Sequence, residues 1–238
     1  MEALGASDIF ATKGVEYLMV IAYLALLVGL WRLLRAPRAT GATAGGTGRI
    51  GVASRGPFQV PDDRYFHQGH TWAAPREGET VRVGMDDFAR KLLGAPVSFE
   101  LPPVGAHVRQ GDHAWTVQLD GERFDMLSPV DGEVVGVNQD AIASPATVAE
   151  DPYDRWLLEV RVPKLRANLT NLLSGFLARA WMEQTAERVR AVQSAELGVL
   201  VPDGGVPVEG FARHLDPERW QEIAREFLLT GNAPAVGA

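Results

Sequence analysis

Cysteine is absent from all 238 residues, which removes disulfides, thiolate nucleophiles, iron–sulfur ligation and cysteine-bound zinc together. The compartment stays open, because a cysteine-free chain folds in either redox environment. Positive charge is scarce as well. Lys and Arg number 23 against 30 Asp and Glu, for a formal charge of −7 and a pI near 5.3, so no basic face is available to neutralise nucleic-acid phosphates. Lysine is the scarcest cation, found only at Lys13, Lys91 and Lys164. A serine nucleophile elbow, a phosphate-binding glycine loop and a paired-carboxylate constellation are all missing. No catalytic residue, no bound cofactor and no metal site is expected, and the chain does not read as an enzyme. His67 and His70 stand three apart in a stretch that reads as strand or loop, where that spacing does not make a metal pair. His107 and His113 flank a turn and read as ordinary histidines.

What is present begins with one apolar run, residues 15–34. Its uncharged part, Tyr17 to Trp31, is 15 residues long, short of the roughly 20 that cross a bilayer. Tyr17 and Trp31 at its ends, with Arg32 and Arg35 able to snorkel, extend its reach. A signal peptide fits poorly, since Glu2, Asp8 and Glu16 outweigh Lys13 on the N-terminal side. A buried soluble helix is the other alternative. An uncleaved transmembrane helix over residues 15–35, behind a tail over 1–14, is the expectation. Arg32, Arg35 and Arg38 after the apolar core then predict an outside N-terminus and a cytoplasmic globular part. Residues 36–62 follow as a flexible linker, rich in Ala, Gly and Thr at their start.

Beyond this the composition, 46% hydrophobic, suffices for a core. Short runs punctuated by Gly and Pro predict strands at Val81–Val83, Val97–Leu101, Ala114–Leu119, Phe124–Leu127, Glu133–Val137 and Trp156–Val162. One helix interrupts them, opened by Asp86-Asp87 and stopped by Gly94, with Phe88, Leu92 and Leu93 facing the sheet. Trp72, Phe99, Trp115 and Trp156 read as core. After Pro163 the period becomes helical. Leu165, Leu169, Leu172, Leu173, Phe176, Leu177 and Trp181 read as one apolar stripe, with Ser174 as a cap between two helices and a solvated continuation to Gln193. Residues 199–210 read as loop. A final helix is expected from an Asp216 cap with Pro217 first, closed by Gly231, and its apolar face (Trp220, Ile223, Ala224, Phe227, Leu228) must land on this domain or on a partner.

The chain is organised around Trp115 to Val137, where strand-like runs flank Asp120-Gly121 and a further strand follows Asp131-Gly132. Asp-Gly between such runs is a strong hairpin signal. Asp120, Glu122 and Asp125 would make that tip acidic. The strings His70-Thr71-Trp72, Val83 to Ala89, Glu100-Leu101-Pro102-Pro103-Val104-Gly105, Ser128-Pro129-Val130-Asp131-Gly132-Glu133-Val134 and Glu150-Asp151-Pro152-Tyr153 stand in an order that resembles the H protein of the glycine cleavage system. The resemblance implies a mainly β fold with α-helices. It would be a barrel-sandwich hybrid (hammerhead, lipoyl-domain-like) over 63–163, with a helical cap over 164–196, an extension over 197–238 and the N-terminal transmembrane helix outside it.

The resemblance also implies a hairpin lysine amidated with lipoate, whose arm visits partner enzymes. Aligned back from Pro129 without a gap, that lysine's place is taken by Gly121, flanked by Asp120 and Glu122. Arginine cannot replace the amine, because its guanidinium stays protonated and delocalised. Two functions are therefore expected. One is a non-catalytic, membrane-tethered module without a lipoyl arm, serving as scaffold or assembly subunit of a membrane-associated complex. The other is a component of the glycine cleavage or lipoate-transfer pathway, docking lipoyl-handling enzymes or acting as a diverged carrier. Both call for protein partners.

Overall fold

A computed structural model describes residues 17, 19–28, 56–119, 121–197 and 207–231. The chain divides into two compact units, Met1–Ile50 and Gly51–Ala238. In the first, residues 19–28 form a helix, α1, whose large apolar side chains, Ile21, Leu24 and Val28 among them, are exposed. Among the described residues no helix is long and apolar enough to cross a membrane. Most of the rest of the expected span over 15–35 lies outside the described residues, as do the 1–14 tail and residues 36–55.

The second unit is built on two antiparallel sheets. The first has six strands in the order β1-β2-β3-β9-β8-β5. Here β1 is Tyr65–His67, β2 Thr71–Pro75, β3 Thr80–Met85, β9 Leu158–Arg161, β8 Gly132–Val137 and β5 His107–Val108. The second has three strands, β4 (Ser98–Glu100), β6 (His113–Leu119) and β7 (Glu122–Leu127), with β6 in the centre. Phe66, Trp72, Trp115, Phe124 and Leu158 are buried in the core. β1 and β2 escape a search for alternation, because β2 is buried on both sides along Thr71–Ala74 and shows no period of two.

The helix after β3, α2 (Asp87–Leu93), follows the sequence closely. The Asp86 carboxylate accepts the Ala89 N–H at 2.8 Å, and Gly94 closes the helix at φ 92°. Phe88, Leu92 and Leu93 are fully buried. Two short helices, α3 (Gln139–Ala143) and α4 (Ala146–Glu150), fill a region with no clear periodicity.

Three expectations are corrected. Phe58 and Val60 are buried, and the Phe58 ring meets Phe88 edge-on at 4.9 Å, so the linker expected over 36–62 gives way to packed chain before residue 62. The stripe after Pro163 is not one face. It is split between α5 (Leu165–Thr170) and α6 (Gly175–Leu197), and Gly175 at φ 53° resets the phase between them. On α6 the buried residues are Ala178, Met182, Thr185, Ala186 and Val189, while Phe176 and Leu177 are 75% and 63% exposed. The stretch toward Gln193 is therefore half packed rather than wholly solvated.

The third correction concerns the C-terminal segment. A helix α7 (Phe211–Leu215) stands between the expected loop and Asp216, where no helix was expected. Asp216 accepts the N–H groups of Glu218 and Arg219 at 2.9 and 3.0 Å, capping a turn from which α8 (Trp220–Phe227) departs. The apolar face of α8 lands on this domain. Trp220 meets Phe124 at 5.3 Å, Phe227 meets Phe88 at 5.3 Å, and Phe211 of α7 meets Phe88 at 5.7 Å. Each large side chain buried this way contributes roughly 1.5–3 kcal/mol, so these helices belong to the core.

Candidate functional site: the β6–β7 hairpin tip

The register of β6 against β7 pairs Leu119 with Glu122, leaving Asp120 and Gly121 as the whole connection. Asp120 lies outside the described residues. Gly121 sits at φ 86°, and a Cβ placed on it would meet nothing within 4 Å. A side chain at this position would therefore project into open space, the geometry a presented group requires.

The two faces of the hairpin differ. Trp115, Val117, Leu119, Phe124 and Met126 point inward and are buried. The outward face is a polar network. Ser98 Oγ donates to Gln118 Oε1 at 3.1 Å, and Gln118 and Arg123 both bind the Glu100 carboxylate. Thr116 Oγ1 donates to Asp125 Oδ1 at 2.9 Å, and His113 Nε2 lies 3.1 Å from Thr116 Oγ1. The acidic cluster expected from Asp120, Glu122 and Asp125 does not form as one group. Glu122 and Asp125 are three apart on a strand and so fall on opposite faces. Glu122 turns to Arg225 of α8 at 3.8 Å.

Neither described lysine lies on this hairpin. Lys91 is held within α2, its Nζ donating to Asp87 Oδ2 at 2.9 Å and to the Pro57 carbonyl at 2.8 Å. Lys164 precedes α5 and is exposed. Lys13 lies outside the described residues. An amide-linked lipoyl group needs a primary amine that can be deprotonated to attack an activated acyl carbon. The residues of the tip, Asp120, Gly121 and Glu122, supply none, so that group does not fit here.

The histidines serve the interior and the surface of the fold separately. His70, only 2% exposed and at φ 61°, places Nδ1 2.9 Å from Asp86 Oδ2 and stacks between Phe88 and Trp181 at 4.0 and 4.8 Å. His67 Nδ1 accepts the Gly69 N–H at 3.0 Å, and burial first, then the neighbouring His70, lowers its pKa. His107 and His113 are exposed on β5 and β6. Among the described residues no group of three or more His, Asp or Glu side chains could hold a metal ion. The Tyr153 hydroxyl donates to the Gln59 carbonyl at 2.5 Å and accepts the Asp87 N–H at 3.2 Å. Burial, with Asp86 adding to it, raises the Tyr153 pKa well above the ordinary phenol value. Sequence reasoning missed this buried cluster, although Met85-Asp86-Asp87 beside His70-Thr71-Trp72 carried its residues.

It also missed what α8 does at the hairpin. Besides the Glu122 contact, the Arg225 guanidinium lies 5.6 Å from the centre of the Phe124 ring. An amphipathic pattern says that a face is buried and does not say against which element.

Comparison with known proteins bears on this module. The family model "Glycine cleavage H-protein" matches residues 64–185. A probable glycine cleavage system H protein of Pyrococcus horikoshii is 36% identical over 118 residues, 50% of this chain and 88% of that protein. The glycine cleavage system H protein of Mycolicibacterium smegmatis is 38% identical over 120 residues, 50% of this chain and 90% of that protein. A crystal structure of an H protein from Mycobacterium marinum shares 32% identity and covers 53% of this chain and 98% of its own, with a TM-score of 0.46. Residues 207–231, which carry α7 and α8, lie beyond the matched span. By the length and order of that match, the chain belongs to the glycine cleavage H-protein family.

Proposed function

We propose that this chain works in the glycine cleavage or lipoate-handling pathway as an armless docking module, engaging enzymes that handle a lipoyl group without carrying one. The observation behind this reading is the hairpin tip, which keeps an open, side-chain-presenting geometry at Gly121 and has no amine to present. The β-module around it supports the reading. Its two sheets and α2 enclose a buried core that holds the hairpin in a defined fold. The role is non-catalytic, since docking needs only a folded surface.

Membrane tethering is the second part of the proposal. The apolar run over residues 15–34, followed by Arg35 and Arg38, supports an anchor with its N-terminus outside and the H-protein-like module cytoplasmic. So tethered, the module would gather its partners at the membrane as a scaffold or assembly subunit.

Intact mass of the purified full-length chain tests the missing arm. The expected result is the unmodified mass, and a lipoyl adduct would overturn the reading. Docking is tested by competition. The chain should displace an authentic H protein from the enzymes of glycine cleavage, and no displacement at a hundredfold excess would refute a pathway role. Partition into detergent rather than carbonate extracts checks the anchor.

A further inference from the structure

We propose that α7 and α8 are an in-cis cover for the inner flank of the β6–β7 hairpin, closing to partner proteins the surface beside the tip. The inference rests on the reading that this chain is a docking module and narrows it: partners engage the tip or other faces of the module, and not the covered flank of the hairpin. It concerns a segment, 207–231, that lies outside the span matched to the family.

Chemical fit is the first support. The hairpin flank offers Phe124 and the neighbouring α2 offers Phe88, and the segment answers with Trp220 against the first and Phe227 against the second, each at 5.3 Å. Trp220, Ile223, Ala224 and Phe227 stand at i, i+3, i+4 and i+7, the anchor spacing of a helix lying in a groove. Position is the second. Arg225 reaches Glu122, the residue next to Gly121, and its guanidinium overlies Phe124. The cover thus extends to within one residue of the tip while leaving the direction of a Gly121 side chain open. The third is permanence. Trp220, Ile223, Ala224, Phe227 and Leu228 are all buried, and the cost of exposing that much apolar surface to water at one time makes spontaneous release rare. A small side chain at the tip is unobstructed, whereas a protein that must also rest on the flank finds a helix already there.

The test installs an acceptor and asks whether a large enzyme can use it. Full-length Gly121→Lys, full-length Gly121→Lys with Trp220→Ala and Phe227→Ala, and the M. smegmatis H protein are incubated with lipoate–protein ligase, and modification is followed by mass. The expected result is modification of Gly121→Lys at least about tenfold slower than the relative, with most of the rate recovered once the cover is loosened. Gly121→Lys modified as fast as the relative, while hydrogen exchange shows α8 still protected, overturns the proposal. So does a triple variant that stays slow although its α8 amides exchange freely, because something other than the cover would then block the tip. If the triple variant does not fold, Arg225→Glu in the Gly121→Lys chain replaces it. That change sets an acid beside Glu122 at a half-exposed position, and it should raise the rate severalfold, no rise counting against the cover. A lipoyl adduct on the wild-type chain would sink the armless reading and leave this result standing, so the two failures are separable.

Discussion

Two of the chain's three Asp-Gly pairs stand eleven residues apart, Asp120-Gly121 and Asp131-Gly132, and the structure treats their glycines oppositely. Gly132 begins β8 between β5 and β9, where a Cβ would run into the Arg161 carbonyl oxygen and stand 2.7 Å from Val160 Cγ1. Its neighbour Asp131 accepts the Gln110 N–H at 2.8 Å and donates its own N–H to Asn168 Oδ1 at 2.6 Å. At Gly121 nothing is close, and only the positive φ favours glycine. One glycine is required by what surrounds it and the other by its own backbone. A tip that no packing constrains can exchange its side chain at little cost to the fold.

Substitutions at three positions break or sharpen the contrast. Gly132→Ala should have the largest effect, because rigid backbone must move to admit the methyl group. A loss of about 4 kcal/mol or failure to fold is expected, read by urea denaturation, and a loss below about 1 kcal/mol would erase the distinction. Asn168→Ala comes next. Asn168 is buried at 3% exposure and accepts the Asp131 N–H, while its Nδ2 donates to the Lys164 carbonyl at 3.1 Å. Leaving these groups unmet should cost about 2 kcal/mol, visible as a lower urea midpoint with an unchanged slope. Gly121→Ala should cost least, about 1 kcal/mol for a left-handed residue, and Gly121→Asn less still. Should Gly121→Ala match Gly132→Ala, the tip is more constrained than its open surroundings suggest.

How much of this was legible beforehand varied with the range of the interaction. The α2 helix was readable because its cap, its stop and its buried face are all local, set by Asp86, Gly94 and the spacing of Phe88 and Leu92. The hairpin was readable for the same reason. β2 was not, since burial on both faces erases alternation, and neither was the phase of α6, because one positive-φ glycine separates it from the helix before. The expected acidic tip failed on strand geometry, with Glu122 and Asp125 close in sequence but on opposite faces. Among the candidate histidines, the His67/His70 spacing alone could not announce that His70 is stacked between Phe88 of α2 and Trp181 of α6, partners about 18 and 111 residues away along the chain.

By itself, the order of residues settled the absence of cysteine chemistry, the β-rich module with its turns, and the lack of an amine at Asp120-Gly121-Glu122, since each depends on residue identity or on neighbours a few positions away. Only the tertiary structure decided that α8 lies against the hairpin, that Lys91 is tied to Asp87 and Pro57, and that Gly121 and Gly132 live in unlike surroundings. Those outcomes depend on which distant surfaces meet, and a pattern of apolar residues specifies that a face must be covered without naming its cover.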